Sequence, residues 1–189
     1  MQLNFGCGFD KKEGFVNVDL RAECDPDMIV DLEDTPWPWD SNSVEYIEAR
    51  HVLEHLGQQT EVFLNIIKEL YRVLVPNGVV KITVPHPRSD NYLNDPTHVR
   101  PITAGIFNLF SKEFNRKSIE NKWSSTPLGL YCDVDFELVS SNFVLSGDWG
   151  KRWEVALAAQ DMQAQEAIAR AIQTDCNVAD DIEIVIRKC

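Results

Sequence analysis

Imidazole is the side chain whose ordinary pKa lies close to neutrality, so the histidines are the first residues to weigh for chemistry. His51 and His55 stand four apart in His51-Val52-Leu53-Glu54-His55. On a helix that spacing would face both rings one way and would suit a metal ion. The acid, however, comes immediately before the second histidine, so the string is not HExxH. A structural role is the expectation, with no metal. His86 lies between Pro85 and Pro87, and His98 lies in Asp95-Pro96-Thr97-His98-Val99-Arg100 among polar groups that could orient a substrate. Both are candidate functional residues.

A second group of residues suits ligand binding. Gly6-Cys7-Gly8 follows the short apolar run Leu3–Phe5, where glycine permits a sharp turn and close approach of a ligand to the backbone. Asp19 ends the next apolar run, and a carboxylate beside a glycine turn can accept both hydroxyl protons of a ribose. The plainer reading is a solvated strand end. A nicotinamide dinucleotide fingerprint needs a third glycine and an acid about 20 residues on. Here the third position after Gly8 is Lys11, and Asp19 comes much sooner, which disfavours that class.

The elements that must position these groups alternate in type. Strand-length apolar runs occur at Leu3–Phe5, Phe15–Leu20, Met28–Leu32 and Val44–Ala49. From Thr60 to Leu74 the apolar positions Val62, Phe63, Ile66, Ile67, Leu70, Val73 and Leu74 form one helical stripe. Pro76-Asn77-Gly78 reads as a turn that stops this helix, and Val79–Val84 as a buried strand. Further strands are expected at Phe136–Leu145 and Ile182–Arg187, with an alanine-rich helix from Trp153 to Ile172 inside a helical insertion at 151–175. The pattern predicts an α/β fold with a mainly parallel sheet, in one domain of residues 1–189. Ligands then sit at the carboxyl ends of the strands. The long segment 85–130 is expected to serve as a lid or acceptor pocket.

One connection is awkward. Parallel strands normally need a crossover of a dozen or more residues, yet only Phe9-Asp10-Lys11-Lys12-Glu13-Gly14 separates Gly8 from Phe15. The first crossover helix must be missing or reduced to a turn. No helix dipole can then assist an anion at the glycine turn, and Lys11 or Lys12 would have to supply the charge directly.

Composition sets outer limits. The net charge of −12 lacks the basic footprint of a duplex binder, so nucleic acid is an unlikely partner. The five cysteines, Cys7, Cys24, Cys132, Cys176 and Cys189, show neither zinc spacing nor the density of a disulfide framework. No run is long enough to span a membrane, and the start does not read as a signal peptide. A cytoplasmic protein with reduced thiols is expected; a homo-oligomer is compatible with these features.

The ordered series LNFGCG, GFVNVDL, VDLED, HVLEHL and LYRVLVPNGVVKITVP resembles the successive motifs of class I S-adenosylmethionine-dependent methyltransferases, in particular the methyltransferase type 11-like group. The match runs from Leu3 to about Val84, with a fainter continuation through DPTHVRP. The resemblance implies a Rossmann-like fold with a mainly parallel sheet and a final antiparallel strand, and S-adenosyl-L-methionine as cofactor. It places Asn4, Gly6, Cys7 and Gly8 at the methionine half of that cofactor, Asp19 on the ribose hydroxyls and Leu20 near the adenine. Asp31 and Leu32 would meet the adenine ring, and His51 would lie beside the sulfonium. Glu69, Arg72 and the Pro76-Asn77-Gly78 turn would be scaffold.

Methyl transfer is an in-line displacement whose acceleration can come largely from alignment, roughly 7–11 kcal/mol by intramolecular analogy. A hydroxyl or protonated amine acceptor also needs a general base, contributing about 10²–10⁴-fold. His98 is the first candidate base and His86 the second. The chain has no DPPY-type or NPPY-type string after the fourth strand, which speaks against the amino-methylating DNA enzymes, and no Pro-Cys pair there, which disfavours cytosine C5 chemistry. A small-molecule or sugar-type acceptor is the expectation. A catalytically inactive S-adenosylmethionine-binding module or partner subunit is the alternative, with Val155, Leu157, Met162, Ile168 and Ile172 as its docking face.

Overall fold

A computed structural model describes residues 1–189. Its strands are β1 (Gln2–Phe5), β2 (Val16–Asp19), β3 (Met28–Ile29), β4 (Val44–Arg50), β5 (Leu74–Pro85), β6 (Phe136–Leu145) and β7 (Ala179–Lys188). All seven lie in one sheet of order β3-β2-β1-β4-β5-β7-β6. The first five pair in parallel, and β7 runs antiparallel to both β5 and β6. The chain leaves β1 towards β2 and β3, then returns to the other side of β1 as β4. That reversal makes the carboxyl ends of β1 and β4 the place where a ligand fits.

The expected loss of the first crossover helix is present. Residues 6–15 connect β1 to β2 without a helix, in register Leu3↔Val16. Two buried asparagines organise the connection instead. Asn4 Nδ2 donates to Asp10 O and to Asn17 Oδ1, each at 3.0 Å. Asn17 Oδ1 also accepts from Lys12 N–H at 2.7 Å, and Asn17 Nδ2 donates to Lys12 O and Asp27 Oδ2. The backbone polar groups a helix would have satisfied internally are thus satisfied by side chains.

The next two connections also lack α-helices; only a single 3-10 turn at Ala22–Cys24 intervenes between β2 and β3. Trp37 and Trp39, on the loop before β4, supply the missing cover. Both are buried, with ring centroids 5.2 and 5.5 Å from that of Phe5. A clamp holds this loop against α1 (Thr60–Val73), whose Phe63, Ile66, Ile67, Leu70 and Val73 are buried. Glu69 accepts from Trp37 N–H at 2.7 Å and pairs bidentately with Arg72, both contacts at 2.7 Å. Arg72 in turn donates to the carbonyls of Trp39 and Trp37.

Two local expectations are corrected. Pro76-Asn77-Gly78 does not separate helix from strand: α1 ends at Val73, and β5 begins at Leu74 and runs through the tripeptide. The three residues form an irregularity, because Val44 pairs with Leu74 while Tyr46 pairs with Val79. The expected helix from Trp153 to Ile172 is two helices, α6 (Gly147–Ala158) and α7 (Met162–Thr174). Gln160 in the left-handed region breaks the run, and the Asp161 carboxylate caps α7 by accepting from Gln163 and Ala164 N–H.

The segment 85–130 divides in two. Its second part, with α3 (Ala104–Asn108), α4 (Lys112–Glu120) and α5 (Leu128–Tyr131), sends Ile102, Phe107 and Phe110 into the main core. Only the stretch before Ile102, with the short helix α2 (Asp90–Leu93), comes near the ligand end of the sheet. No helix is long and apolar enough to cross a membrane.

Candidate functional site

A cleft of about 700 Å³ opens at the carboxyl ends of β1, β2, β3 and β4. Gly6, Asp19, Leu20, Asp31, Leu32 and His51 line it, so six residues singled out from the sequence converge on one space. A smaller recess of about 230 Å³ shares Gly6 and His51 with the cleft and is walled by Asn4, Cys7, Asp10, Lys12 and Arg50. A ligand that is polar at one end and carries an aromatic ring at the other would span both.

Asp19 is the best-defined side chain of the cleft. It is 8% exposed. Its Oδ2 accepts from Gly8 N–H at 2.8 Å and its Oδ1 from Arg21 N–H at 2.9 Å. Each carboxylate oxygen has two lone pairs, so acceptor capacity remains for a pair of hydroxyls. The carboxylate ties the glycine turn to the end of β2. Gly6 must be glycine here: its φ is +59°, and a Cβ would overlap Val52 Cγ2.

At the far end of the cleft, Leu20 is exposed and Leu32 buried. Asp31 is exposed, with Oδ1 accepting from Glu33 N–H at 2.9 Å, which holds the turn after β3. Asn4 sits at the recess, but both its amide hydrogens serve the crossover loop. Cys7 is buried, and burial followed by the charge of Asp19 pushes its thiol pKa up, so it stays protonated. Of the two lysines, Lys11 is turned away towards Asp25 and Asp27. Lys12 lines the recess, paired with Glu48.

His51 has φ +53°, in the left-handed region, which turns the chain sharply after β4. Its ring stands between two carboxylates, Nδ1 3.4 Å from Glu54 Oε1 and Nε2 3.8 Å from Asp181 Oδ2. The neighbouring Glu54 carboxylate raises its pKa, against burial that lowers it. Burial in turn raises the pKa of Asp181.

The two residues singled out as bases do not share this cleft. His98 has a side chain only 8% exposed; its Nδ1 is 2.8 Å from Tyr92 O, and its ring stacks on Tyr92 and meets His55 edge-on. It stands behind the wall made by His55 and Thr97. His86 lies apart altogether. Its Nδ1 accepts from Arg88 N–H at 3.3 Å, its ring packs against Phe143, and burial followed by the Arg88 charge lowers its pKa. Both histidines follow the end of β5, but the chain carries them past the cleft rather than into it.

Glu54, Arg50 and Asp181 join the site without being singled out by sequence. Glu54 had a local signal, three residues after His51. Asp181 had none, since β7 brings it across the sheet from near the end of the chain.

No protein-family model matches the chain, and no curated protein matches it in sequence. Solved structures do. A SAM-dependent methyltransferase from Archaeoglobus fulgidus is similar over 99% of this chain and 85% of its own, at 15% identity and a TM-score of 0.60. A SAM-dependent methyltransferase from Methanosarcina mazei is similar over 99% and 91%, at 12% identity and a TM-score of 0.56. A Haloferax volcanii protein, solved in complex with the Trm112 methyltransferase activator, is similar over 99% and 81%, at 13% identity and a TM-score of 0.53. At such identities likeness speaks for architecture alone. Sheet order, strand directions and these neighbours agree: the chain has the Rossmann-like fold of the S-adenosylmethionine-dependent class I methyltransferases.

Proposed function

We propose that this protein is an S-adenosylmethionine-dependent methyltransferase that acts on a small-molecule or sugar-type acceptor. The observation that carries this reading is the buried Asp19 carboxylate, held by Gly8 N–H and facing a cleft at the switch point of the sheet. The cofactor, when bound, supplies an electrophilic methyl group on a sulfonium. Asp19 would accept the ribose hydroxyls, Leu20 and Leu32 would meet the adenine, and Asp31 would accept from its amino group. Lys12 and Arg50, on the smaller recess, would supply the methionine carboxylate with the charge that a first crossover helix would have contributed.

The base role expected of His98 passes to His51, whose ring borders the cleft. Glu54 and Asp181, one on each side, stabilise the imidazolium formed when it takes a proton from the acceptor. The net charge of −12 favours an acceptor that is not a polyanion. Five unpaired cysteines accord with a reducing, cytoplasmic setting.

A ligand that binds only the folded state raises its apparent stability. Thermal melts with S-adenosylmethionine, its demethylated product and NAD should show stabilisation by the first two and none by NAD. Stabilisation by NAD alone would sink the reading.

A second reading, a cofactor-binding subunit without catalysis, is favoured by the α6–α7 hairpin. Val155 and Met162 of the proposed docking face are 83% and 72% exposed. Ile168 and Ile172 instead pack with Val178 and Ala179 and so cover the protein's own sheet. Release of labelled methyl to a panel of hydroxylated small molecules separates the two readings.

A further inference from the structure

Glu54 has the burial of a core residue and the chemistry of a ligand. It is 1% exposed, and neither carboxylate oxygen has a hydrogen-bond partner. Its nearest cation-capable neighbour, His51 Nδ1, stands 3.4 Å from one oxygen, at long range for a hydrogen bond. A buried unpaired carboxylate is costly unless a positive charge or a metal accompanies it. One donor atom each from Glu54, His55 and His98 lie within 4.8 Å of one another.

The hydrogen bonds around the two imidazoles leave them ready for such a role. His98 Nδ1 faces a carbonyl, Tyr92 O, at 2.8 Å, and a carbonyl can only accept, so Nδ1 carries the proton and Nε2 holds a free lone pair. Thr97 Oγ1 donates its own proton to Asp95 Oδ1 at 2.6 Å. Towards His55 Nδ1, 2.9 Å away, the same hydroxyl must accept, which again places the proton on Nδ1 and the lone pair on Nε2. Histidines that bind metals are oriented in this way, the second ring nitrogen donating to a carbonyl or a carboxylate-linked group.

We infer that Glu54, His55 and His98 form a binding site for one divalent transition-metal ion such as Zn²⁺ or Mn²⁺. Two imidazoles and a carboxylate suit such ions, with bonds of roughly 2.0–2.2 Å and donor separations of roughly 3–4 Å. From the present spacing, within 4.8 Å, the side chains would have to draw together to reach that distance. Asp95 Oδ2, 3.9 Å from His98 Nε2, is near enough to add a donor directly or through water. The HVLEH string had argued against a metal because its own spacing is wrong; the third donor comes from His98, beyond α1 and β5. His55 and Thr97 also line the cleft, so an ion held here would border the space assigned to the reactants. The ion would hold and acidify an acceptor hydroxyl. That role rests on the proposed methyltransferase reading; the binding of the ion does not.

The test is calorimetric titration of chelator-treated protein with ZnCl₂ and, separately, MnCl₂, with the same samples melted in the presence of S-adenosylhomocysteine. Wild type should bind one equivalent of at least one ion. Thr97→Val, which keeps the side-chain shape but removes the acceptor for His55, should weaken binding about 10–100-fold, and His98→Ala and Glu54→Gln should weaken it more. A cobalt(II) spectrum free of thiolate charge-transfer bands should show that none of the five cysteines is a ligand. Failure of wild type to bind either ion, or undiminished binding by His98→Ala together with Thr97→Val, would overturn the proposal. Stabilisation by S-adenosylhomocysteine without metal binding would refute the metal site and leave the methyltransferase reading intact.

Discussion

Replacing Asp19 by alanine should damage the fold and the cofactor site together, and the structure sets the size of each effect. The carboxylate accepts two backbone hydrogen bonds, from Gly8 at 2.8 Å and Arg21 at 2.9 Å, in a place where it is 8% exposed. Hydrogen bonds to a charged group contribute about 1.5–3 kcal/mol each. The turn at Gly8 is partly open to water, which can re-solvate the freed N–H groups, so a loss of about 2–4 kcal/mol is expected by denaturant titration. Loss of the acceptor for two ribose hydroxyls removes a similar amount from binding. At 1.4 kcal/mol per decade, S-adenosylhomocysteine should bind about 30- to 1,000-fold more weakly by calorimetry. Asp19→Asn separates the effects, because its one carbonyl oxygen can still accept from Gly8 but cannot serve every remaining donor. It should recover part of the stability and little of the affinity. An Asp19→Ala protein that melts below wild type yet binds the product with wild-type affinity would refute the assignment of Asp19 to the ribose.

Gly6→Ala should cost about 1–2 kcal/mol from the left-handed backbone and about 1–3 kcal/mol from overlap with buried Val52. Val52→Ala in the same chain should recover part of the second component, and an undiminished melting temperature for Gly6→Ala alone would refute the close packing of the turn. The Glu69–Arg72 clamp should make the fold acid-sensitive. Burial pushes the Glu69 pKa up, but the Arg72 guanidinium and Trp37 N–H outweigh it and hold the carboxyl below its ordinary value. A depressed carboxylate contributes stability that is fully present above the unfolded pKa of about 4.3 and is lost as pH falls through the lower folded value. Glu69→Gln should therefore destabilise the protein at pH 7, with the gap from wild type closing below about pH 4; a gap independent of pH would show that the clamp works by packing alone.

Much of the architecture was legible before any coordinates. The alternation of apolar runs located β1, β2, β4, the core of β5, β6 and β7, and the helical stripe located α1 within a residue at its end. The loop between Gly8 and Phe15 is too short for a helix, and that arithmetic foretold the bare crossover. Breaks inside elements were less legible. Proline-asparagine-glycine reads as a turn because its local conformations suit one, yet β4 alongside lets the strand absorb the three residues as an irregularity. The stop between α6 and α7 at Gln160 carries neither glycine nor proline.

The sequence by itself determined which segments become strands and where the glycine turn and its carboxylate must lie, because those depend on periodicity and on residues a dozen apart. Only the tertiary structure decided where the histidines point. His51 and His55 reach the cleft, His98 stands behind its wall, and His86 turns towards Phe143. The direction of a side chain after a strand end is set by the packing of distant segments against it. That packing brings β7's Asp181 to His51, and the loop from Tyr92 to His98 to Glu54 and His55.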